Sequence, residues 1–333
     1  MPPATRKIVI IGAGIAGLCT AVLARKSGYD VEVVEQHDNA GGLATSWHRS
    51  GYQFETCLHW LLGSGPASPM HAQWREVFDI DKLTFVYPEE FERLENETGD
   101  RLSIYANVDR MEAGFLREAP QDAAEIRHFA AAVRALSGVQ MPDPAGEWPH
   151  SWLTLLKDLP YLPALHHWSG LTCEAYGTRF SHPLLRQFFG SGEIAQLSAL
   201  TVVLMLAWMS RHEAGYPIGG SQAIIRPIAD NLTQLGGRLR LRTKVEEILV
   251  EGDSAVGVRL ADGETITADW VISAADGHAT IYELLGGRYR DHTIDRIYQE
   301  LKPFPSYLQV SLGVARGFPQ QPGLVTRVLA TPL

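Results

Sequence analysis

The sequence predicts an α/β protein in which a mainly helical domain is inserted into a Rossmann-like domain built on a parallel sheet. Three observations predict this class. A glycine-rich turn joins an apolar strand to a helix near the start of the chain, and a second glycine block, followed by several short strands, lies near residue 219. Between the two blocks, apolar residues recur mainly at helical spacing.

The first glycine-rich turn has the form of a pyrophosphate-binding turn. The β-branched run Lys7–Ile11 indicates a buried parallel strand, and residues 18–25 continue with helical spacing up to Gly28. The G-x-G-x-x-G turn between them consists of Gly12, Ala13, Gly14, Ile15, Ala16 and Gly17. Such glycines allow a tight turn, close approach of the backbone to a pyrophosphate, and close packing of helix on strand. The helix N-terminus adds free N–H groups and the positive end of a dipole.

An acidic residue completes this dinucleotide fingerprint. A second buried strand, residues 31–34, leads directly to Glu35. Its carboxylate can accept hydrogen bonds from both ribose hydroxyls and would repel a 2′-phosphate. Because strand, turn, helix, second strand and acid all agree, a dinucleotide site is favoured over a merely structural glycine turn.

A glycine pair after Glu35 favours flavin over nicotinamide. Gly41 and Gly42 are followed by Leu43. A protein that binds only NAD needs no second glycine pair at this place. In flavin enzymes of the glutathione-reductase-like class, an equivalent loop passes close to the pyrophosphate and ribityl chain of FAD. The expected cofactor is therefore FAD, with all of these glycines and Leu43 as contacts.

From this point the chain resembles the family of phytoene desaturases, carotenoid isomerases and retinol saturases, within the amine oxidase superfamily. The resemblance rests on the two glycine motifs, the acid, and the runs Thr45-Ser46-Trp47 and Gly51-Tyr52-Gln53-Phe54-Glu55. The chain departs from the family at Glu55, where aspartate is usual, and at Leu43, where arginine or lysine is common. The resemblance implies an FAD-dependent oxidoreductase. Its implied reaction is to desaturate, saturate or isomerise a carotenoid-like, retinoid-like or other lipid-like polyene by hydride exchange with flavin N5.

A second block agrees with this resemblance. The run Tyr216-Pro217-Ile218-Gly219-Gly220 precedes a predicted helix over residues 221–235, in which Pro227 implies a late start or a kink. The strands expected next cover residues 238–243, 245–250, 255–260, 264–268 and 270–273. By resemblance, Val245 offers its backbone to the adenine ring, and Ala274 and Asp276 return the chain to the pyrophosphate.

The resulting domain assignment is discontinuous. Residues 1–65 and 214–280 are assigned to the FAD-binding domain, and residues 66–213 and 281–333 to the substrate or cap domain. Apolar stretches at 153–171 and 199–209 are interpreted as core packing, with a substrate tunnel or a membrane-facing surface as alternatives. The alternating run 307–314 predicts a strand of the second domain.

Two residues are candidates for acid–base chemistry beside a flavin, which itself carries the redox step. His59 follows the strand-like run that ends at Glu55, and Tyr216 precedes the second glycine pair. The simpler interpretations are a histidine hydrogen-bonded at a strand end and a packed tyrosine. Cys57 as a covalent flavin anchor is a weaker alternative.

Composition and charge exclude other classes of partner. The 333 residues carry a formal net charge of -9 without a basic cluster, so nucleic acid is not an expected partner. The three cysteines are scattered, and neither they nor the histidines have metal-ligand spacing, so no metal is expected. The apolar run 199–209 is shorter than the roughly 20 residues of a spanning helix. A cytoplasmic protein is expected, with peripheral contact with a membrane left open.

Members of the family commonly run longer than this chain. They close the FAD domain with a C-terminal strand, a glycine-rich turn and a helix, and no such pattern follows residue 314. A C-terminal segment or a partner is therefore expected to complete the site. Two alternatives to the polyene enzyme remain: an amine-oxidase-like flavoprotein, and a truncated, non-catalytic FAD-binding subunit.

Overall fold

The computed structural model describes residues 5–55, 58–139, 159–301, 308–318, 321 and 323–328. The strands in these ranges are β1 (Lys7–Ile11), β2 (Asp30–Val34), β3 (Ser46–Arg49), β4 (Tyr52–Glu55), β5 (Leu61–Leu62), β6 (Phe85–Val86), β7 (Glu90–Asn96), β8 (Arg101–Tyr105), β9 (Ala214–Pro217), β10 (Arg238–Arg240), β11 (Val245–Glu251), β12 (Ser254–Leu260), β13 (Thr265–Thr267), β14 (Trp270–Ser273) and β15 (Val325–Val328). The α-helices are α1 (Ile15–Lys26), α2 (Pro69–Val77), α3 (Val108–Glu118), α4 (Ala123–Leu136), α5 (Leu162–Ser169), α6 (Cys173–Gly177), α7 (Pro183–Gly190), α8 (Ala199–Ser210), α9 (Gly220–Gln234) and α10 (His292–Glu300). A π-helical turn covers Ala279–Leu284.

The chain divides into two compact units. The first comprises Met1–His59, Gln73–Thr84 and Tyr216–Gly313, and the second comprises Trp60–Ala72, Phe85–Gly215 and Val314–Leu333. The sequence placed residues 281–333 in the second domain, whereas 281–313 group with the first unit. The reason is apolar packing: Leu284 and Leu285 lie against the core of the first unit that contains Val9 and Val258.

The first unit is built on a four-stranded parallel sheet in the order β10-β2-β1-β14. Ile10 of β1 lies between Val33 of β2 and Ile272 of β14. The residues of the two central strands, β1 and β2, are mostly β-branched and buried, as expected for a parallel sheet, whereas Arg238 of β10 and Trp270 of β14 are exposed on the edge strands. Helix α1 packs against α9, and an antiparallel sheet of β11, β12 and β13 adds to the same unit.

The second unit is a mainly helical body with a small sheet. Its core joins apolar residues of β7, β8 and the helices α3 to α8, with the aromatic side chains Phe129, Trp168, Tyr176 and Phe189 at its centre. Six residues of α8 are buried, so the apolar run 199–209 packs in this core. Within the described part of the chain, each helix is too short or too polar to span a lipid bilayer.

Two local expectations differ from the structure, and part of a third lies outside the described residues. Helix α9 begins at Gly220 and continues through Pro227, so the late start does not occur. The strand expected over 307–314 is wrong for the described residues 308–314, which have no regular secondary structure. Among the described residues, no strand pairs with this segment, and an alternating apolar pattern forms a strand only beside a neighbour with which its backbone can hydrogen-bond. The expected apolar segment 153–171 is described only from residue 159 onward.

Candidate functional site

The first glycine-rich turn is folded tightly between β1 and α1. Gly12 has a φ of +97°, and a Cβ atom added to Gly17 would lie only 2.0 Å from the carbonyl oxygen of Gly12. Ile15 and Ala16 form the first turn of α1, whose N-cap residue is Gly14 and has no side-chain cap. The first N–H groups of the helix are thus without a capping side chain, as an anion-binding helix terminus requires.

Glu35 is held in place at the carboxyl end of β2. One carboxylate oxygen, Oε2, accepts a hydrogen bond from the Ala13 N–H at 2.8 Å, and Oε1 accepts one from the His37 N–H at 2.9 Å. The residue is only 6% exposed. Each carboxylate oxygen keeps a further lone pair, so the group can still accept bonds from hydroxyls. Its role as a ribose ligand stays a prediction.

The glycine pair lies directly against the first turn. The Gly41 N–H donates to the Ala13 carbonyl oxygen at 2.8 Å. Gly42 has a φ of +60°, and an added Cβ would lie 3.2 Å from the Gly14 Cα. Leu43, which follows, is 83% exposed. The two glycine motifs therefore form one surface of bare backbone, open to a ligand that must approach closely.

The end of β14 joins the same place. The Ala274 N–H donates to the Ile11 carbonyl oxygen at 2.9 Å, and the Ala274 carbonyl oxygen would lie 3.3 Å from a Cβ on Gly12. Asp276 is exposed, and its Oδ1 accepts a hydrogen bond from the Ala279 N–H at 2.8 Å. Asp276 thus lies beside the glycine-rich turn and caps the helical turn that follows it. Its carboxylate already accepts a hydrogen bond from the backbone.

Val245 lies within β11 and is 6% exposed. It pairs with Leu260, and the segment just before it is tied to the end of β2, because the Thr243 N–H donates to the Glu35 carbonyl oxygen at 2.7 Å. This connection places Val245 near the acid of the fingerprint. Its contact with an adenine ring stays a prediction.

Helix α9 brings the second glycine block to the first. The Cγ1 of Ile225 would lie 3.4 Å from a Cβ added to Gly41. At the start of α9, the Ser221 Oγ is fully buried and has no hydrogen-bond partner in the described structure. A buried hydroxyl without a partner is costly, so a ligand group is a natural partner for it.

The two acid–base candidates differ in their surroundings. Tyr216 is half-buried, and burial raises the pKa of its phenol, as does the negative charge of Glu55 to a smaller extent. His59 is exposed, and its contact with a flavin stays a prediction. The neighbouring Cys57 lies outside the described residues.

Sequence reasoning missed the part played by Gln53 and Glu55. These side chains bond to each other and to the start of α9. A signal was present: residues two apart in a strand lie on the same face, so two polar side chains beside a glycine-rich block could have been paired with it.

Together, these features define a Rossmann-type dinucleotide-binding protein with its site at the carboxyl ends of parallel strands. The chain belongs to the flavin containing amine oxidoreductase family, whose sequence model matches residues 15–318. The expected family and fold class are thereby confirmed.

Individual relatives point the same way. Phytoene desaturase (neurosporene-forming) of Rhodobacter capsulatus is 31% identical over 299 residues, which cover 85% of this chain and 55% of that protein. Prolycopene isomerase of Arabidopsis thaliana is 24% identical, covering 92% of this chain and 53% of that protein. Among solved structures, a putrescine oxidase matches with a TM-score of 0.58 at 18% identity, covering 89% of this chain and 63% of that one. The chain thus spans about half the length of the curated relatives it matches.

FAD is the cofactor of this family, and the residues present fit it. The bare backbone surface of Gly14 and Gly42 and the uncapped start of α1 would hold the diphosphate, and Glu35 a ribose. When bound, FAD supplies the redox chemistry. Among the described residues, no three histidine, cysteine or acidic side chains are grouped so as to hold a metal ion.

Proposed function

We propose that this chain is the FAD-binding part of an oxidoreductase that desaturates, saturates or isomerises a polyene of carotenoid, retinoid or similar lipid character. The observation that carries the proposal is the backbone surface made by Gly14 and Gly42 beside the buried Glu35. It suits the diphosphate and ribose of FAD, in a family defined by flavin chemistry. The names of the relatives in Rhodobacter capsulatus and Arabidopsis thaliana supply the class of substrate.

The first unit also offers an apolar surface for such a substrate. An open cleft of about 510 Å³ lies between the β3–β4 hairpin and residues 309–313. Its wall includes Trp47, Tyr52 and Phe54, and the rings of Trp47 and Phe54 are stacked with centroids 5.6 Å apart. Flat aromatic rings side by side suit a planar conjugated chain.

Acid–base roles follow from protonation. When bound, FAD would supply the redox chemistry; desaturation also requires a base that accepts a proton, whereas saturation requires a proton donor. Tyr216 is proposed as the proton donor because its phenol carries a proton near pH 7; burial raises its pKa and so makes it a weaker acid than a free tyrosine. His59, which is exposed, is proposed as the group that accepts a proton.

Further polypeptide is proposed to cover one face of the first unit. Alternate residues of the segment 308–312 are apolar and strongly exposed: Leu308 at 91%, Val310 at 73% and Leu312 at 81%. The residues between them, Gln309 and Ser311, line the cleft instead. Apolar side chains at every second residue, all on one face, are typical of a strand, and here no layer of protein covers that face in the described structure. The relatives are longer than the part of them that this chain matches. A segment equivalent to their unmatched part is proposed to cover this face. The alternative proposal is that this face contacts the surface of a membrane.

The test begins with the purified 333-residue chain. Its visible spectrum and the flavin released on denaturation are expected to give FAD near one per chain. Anaerobic incubation with phytoene, lycopene and retinol, with the bound FAD either oxidised or chemically reduced, followed by chromatography, then tests a single turnover, and incubation with putrescine in air is the amine control. Peroxide formation with putrescine and no polyene conversion would replace the proposal with an amine oxidase. A colourless chain would be tested again after addition of the unmatched part of the Rhodobacter capsulatus relative. Failure to take up FAD even then would overturn the proposal, whereas binding of the chain alone to lipid vesicles would favour the membrane as occupant of the exposed face.

A further inference from the structure

Glu55 lies at the centre of a polar network in the first unit. Its Oε2 accepts a hydrogen bond from the Ser221 N–H at 3.0 Å. The Gln53 side-chain amide donates to Glu55 Oε1 at 2.6 Å and to the Gly219 carbonyl oxygen at 2.9 Å. The side-chain amide of Gln309 donates to the Glu55 carbonyl oxygen at 2.9 Å. The network therefore joins the hairpin, the second glycine block and the segment around Gln309.

The glycine turn is shaped around this carboxylate. Gly219 and Gly220 have φ values of +92° and +64°. A Cβ added to Gly220 would lie 2.0 Å from Glu55 Oε1, so no side chain fits between the turn and the acid. Residues other than glycine are strained at such φ angles. The two glycines thus permit both the turn and the close approach of Glu55.

The charge of Glu55 suits the place that it occupies. The start of α9 has no capping side chain from Gly219. A carboxylate hydrogen-bonded to the first N–H groups of a helix is stabilised by the positive end of the helix dipole. Glu55 therefore acts as a cap that comes from a strand distant in the sequence.

We propose that Glu55 is a positioning residue, which fixes the Gly219–Gly220 turn against the hairpin and thereby sets the place and the electrostatic surroundings of Tyr216. The inference rests on the proposed function, in which Tyr216 is the proton donor. Tyr216 precedes the turn by three residues in β9, and Glu55 is the charged group whose field acts on it. Burial and this negative charge both favour the neutral phenol.

The test measures Tyr216 itself in the full chain. The chain is labelled with fluorotyrosine, whose more acidic phenol titrates where the protein stays folded. The Tyr216 fluorine signal is assigned by its absence in Tyr216→Phe. Glu55→Gln keeps the size of the side chain and removes its charge. It is expected to raise the acid dissociation constant of Tyr216 roughly twofold to tenfold. Glu55→Asp keeps the negative charge, so its acid dissociation constant for Tyr216 is expected to stay close to that of the unmodified chain.

The control removes an equal charge elsewhere in the same unit. Glu251→Gln, at the exposed end of β11, is expected to leave the Tyr216 titration unchanged. If Glu55→Gln has no effect on Tyr216, or if Glu251→Gln has the same effect, the positioning role is wrong. If Glu55→Gln does not fold, Gln53→Ala replaces it; loosening the carboxylate should shift the titration in the same direction, and an unchanged titration would again overturn the proposal. Because no substrate is needed, a failure of the proposed reaction leaves this result intact.

Discussion

A methyl group added at Gly17 tests whether the strand-turn-helix geometry holds the cofactor. The Cβ of Gly17→Ala would lie 2.0 Å from the Gly12 carbonyl oxygen and 3.3 Å from the Ala274 Cβ. Carbon–oxygen contacts are normally about 3.3 Å or longer, so the turn and α1 must separate by about 1 Å. Such overpacking costs about 1–3 kcal/mol, against which alanine regains about 1 kcal/mol in helix propensity. We expect a net loss of about 0–2 kcal/mol in the free energy of unfolding. The displaced N–H groups should weaken FAD binding at least about tenfold, which corresponds to about 1.4 kcal/mol.

Gly28→Ala is the matched control for this variant. Gly28 follows α1 with a φ of +89°, and a Cβ added there would meet nothing within 4 Å. Alanine at this φ costs about 1–2 kcal/mol of strain without any clash at the turn. Urea unfolding should therefore show similar losses for the two variants, while quenching of flavin fluorescence shows weaker FAD binding only for Gly17→Ala. Equal FAD affinities would refute the idea that the turn must be this tight to bind FAD.

Three further outcomes are expected. Glu35→Ala leaves the buried Ala13 N–H without its acceptor; it should destabilise the chain by about 1–3 kcal/mol in urea unfolding and also weaken FAD binding in fluorescence titrations, whereas loss of stability alone would remove Glu35 from the site. Burial raises the pKa of Cys19 and of Cys173 to about 11, so at pH 8 their thiolate fractions are on the order of 10⁻³. Two of the three thiols should react with Ellman's reagent only as the chain unfolds, and fast reaction of all three in the native chain would contradict this. Asp122→Ala removes the acceptor of two backbone N–H groups at 2.8 Å before α7, and urea unfolding should show a loss of about 2 kcal/mol, with Asp122→Asn losing less.

The sequence predicts those parts of the fold that local chemistry decides. The bounds of β1 agree with the expected run 7–11, because buried parallel strands are short, apolar and β-branched. The bounds of β14 agree with the expected run 270–273, although this edge strand is only partly buried. The glycine-rich turn was equally predictable, since its spacing follows from the backbone of the turn itself.

Contacts between distant parts of the chain were not predictable in this way. The run 307–314 alternates as a strand does, but a strand also needs a neighbour, and alternation says nothing about whether one is present. The Glu55–Ser221 hydrogen bond joins residues 166 positions apart, so neither local pattern indicates the other. The same limit applies to residues 281–313, whose unit is decided by where Leu284 and Leu285 pack.

FAD binding and turnover depend on different kinds of contact: the first on residues close in sequence, the second on residues far apart in sequence. The surface proposed to hold FAD is made by Gly14 and Gly42 for the diphosphate and Glu35 for a ribose, and these residues lie close in sequence and in the structure. The proposed reacting end depends on Tyr216 and Glu55, together with a face at Leu308 and Leu312 that stays exposed. FAD binding and turnover should therefore respond to different changes. Variants of the glycine surface should lower FAD affinity, whereas Tyr216→Phe should lower turnover with little change in affinity.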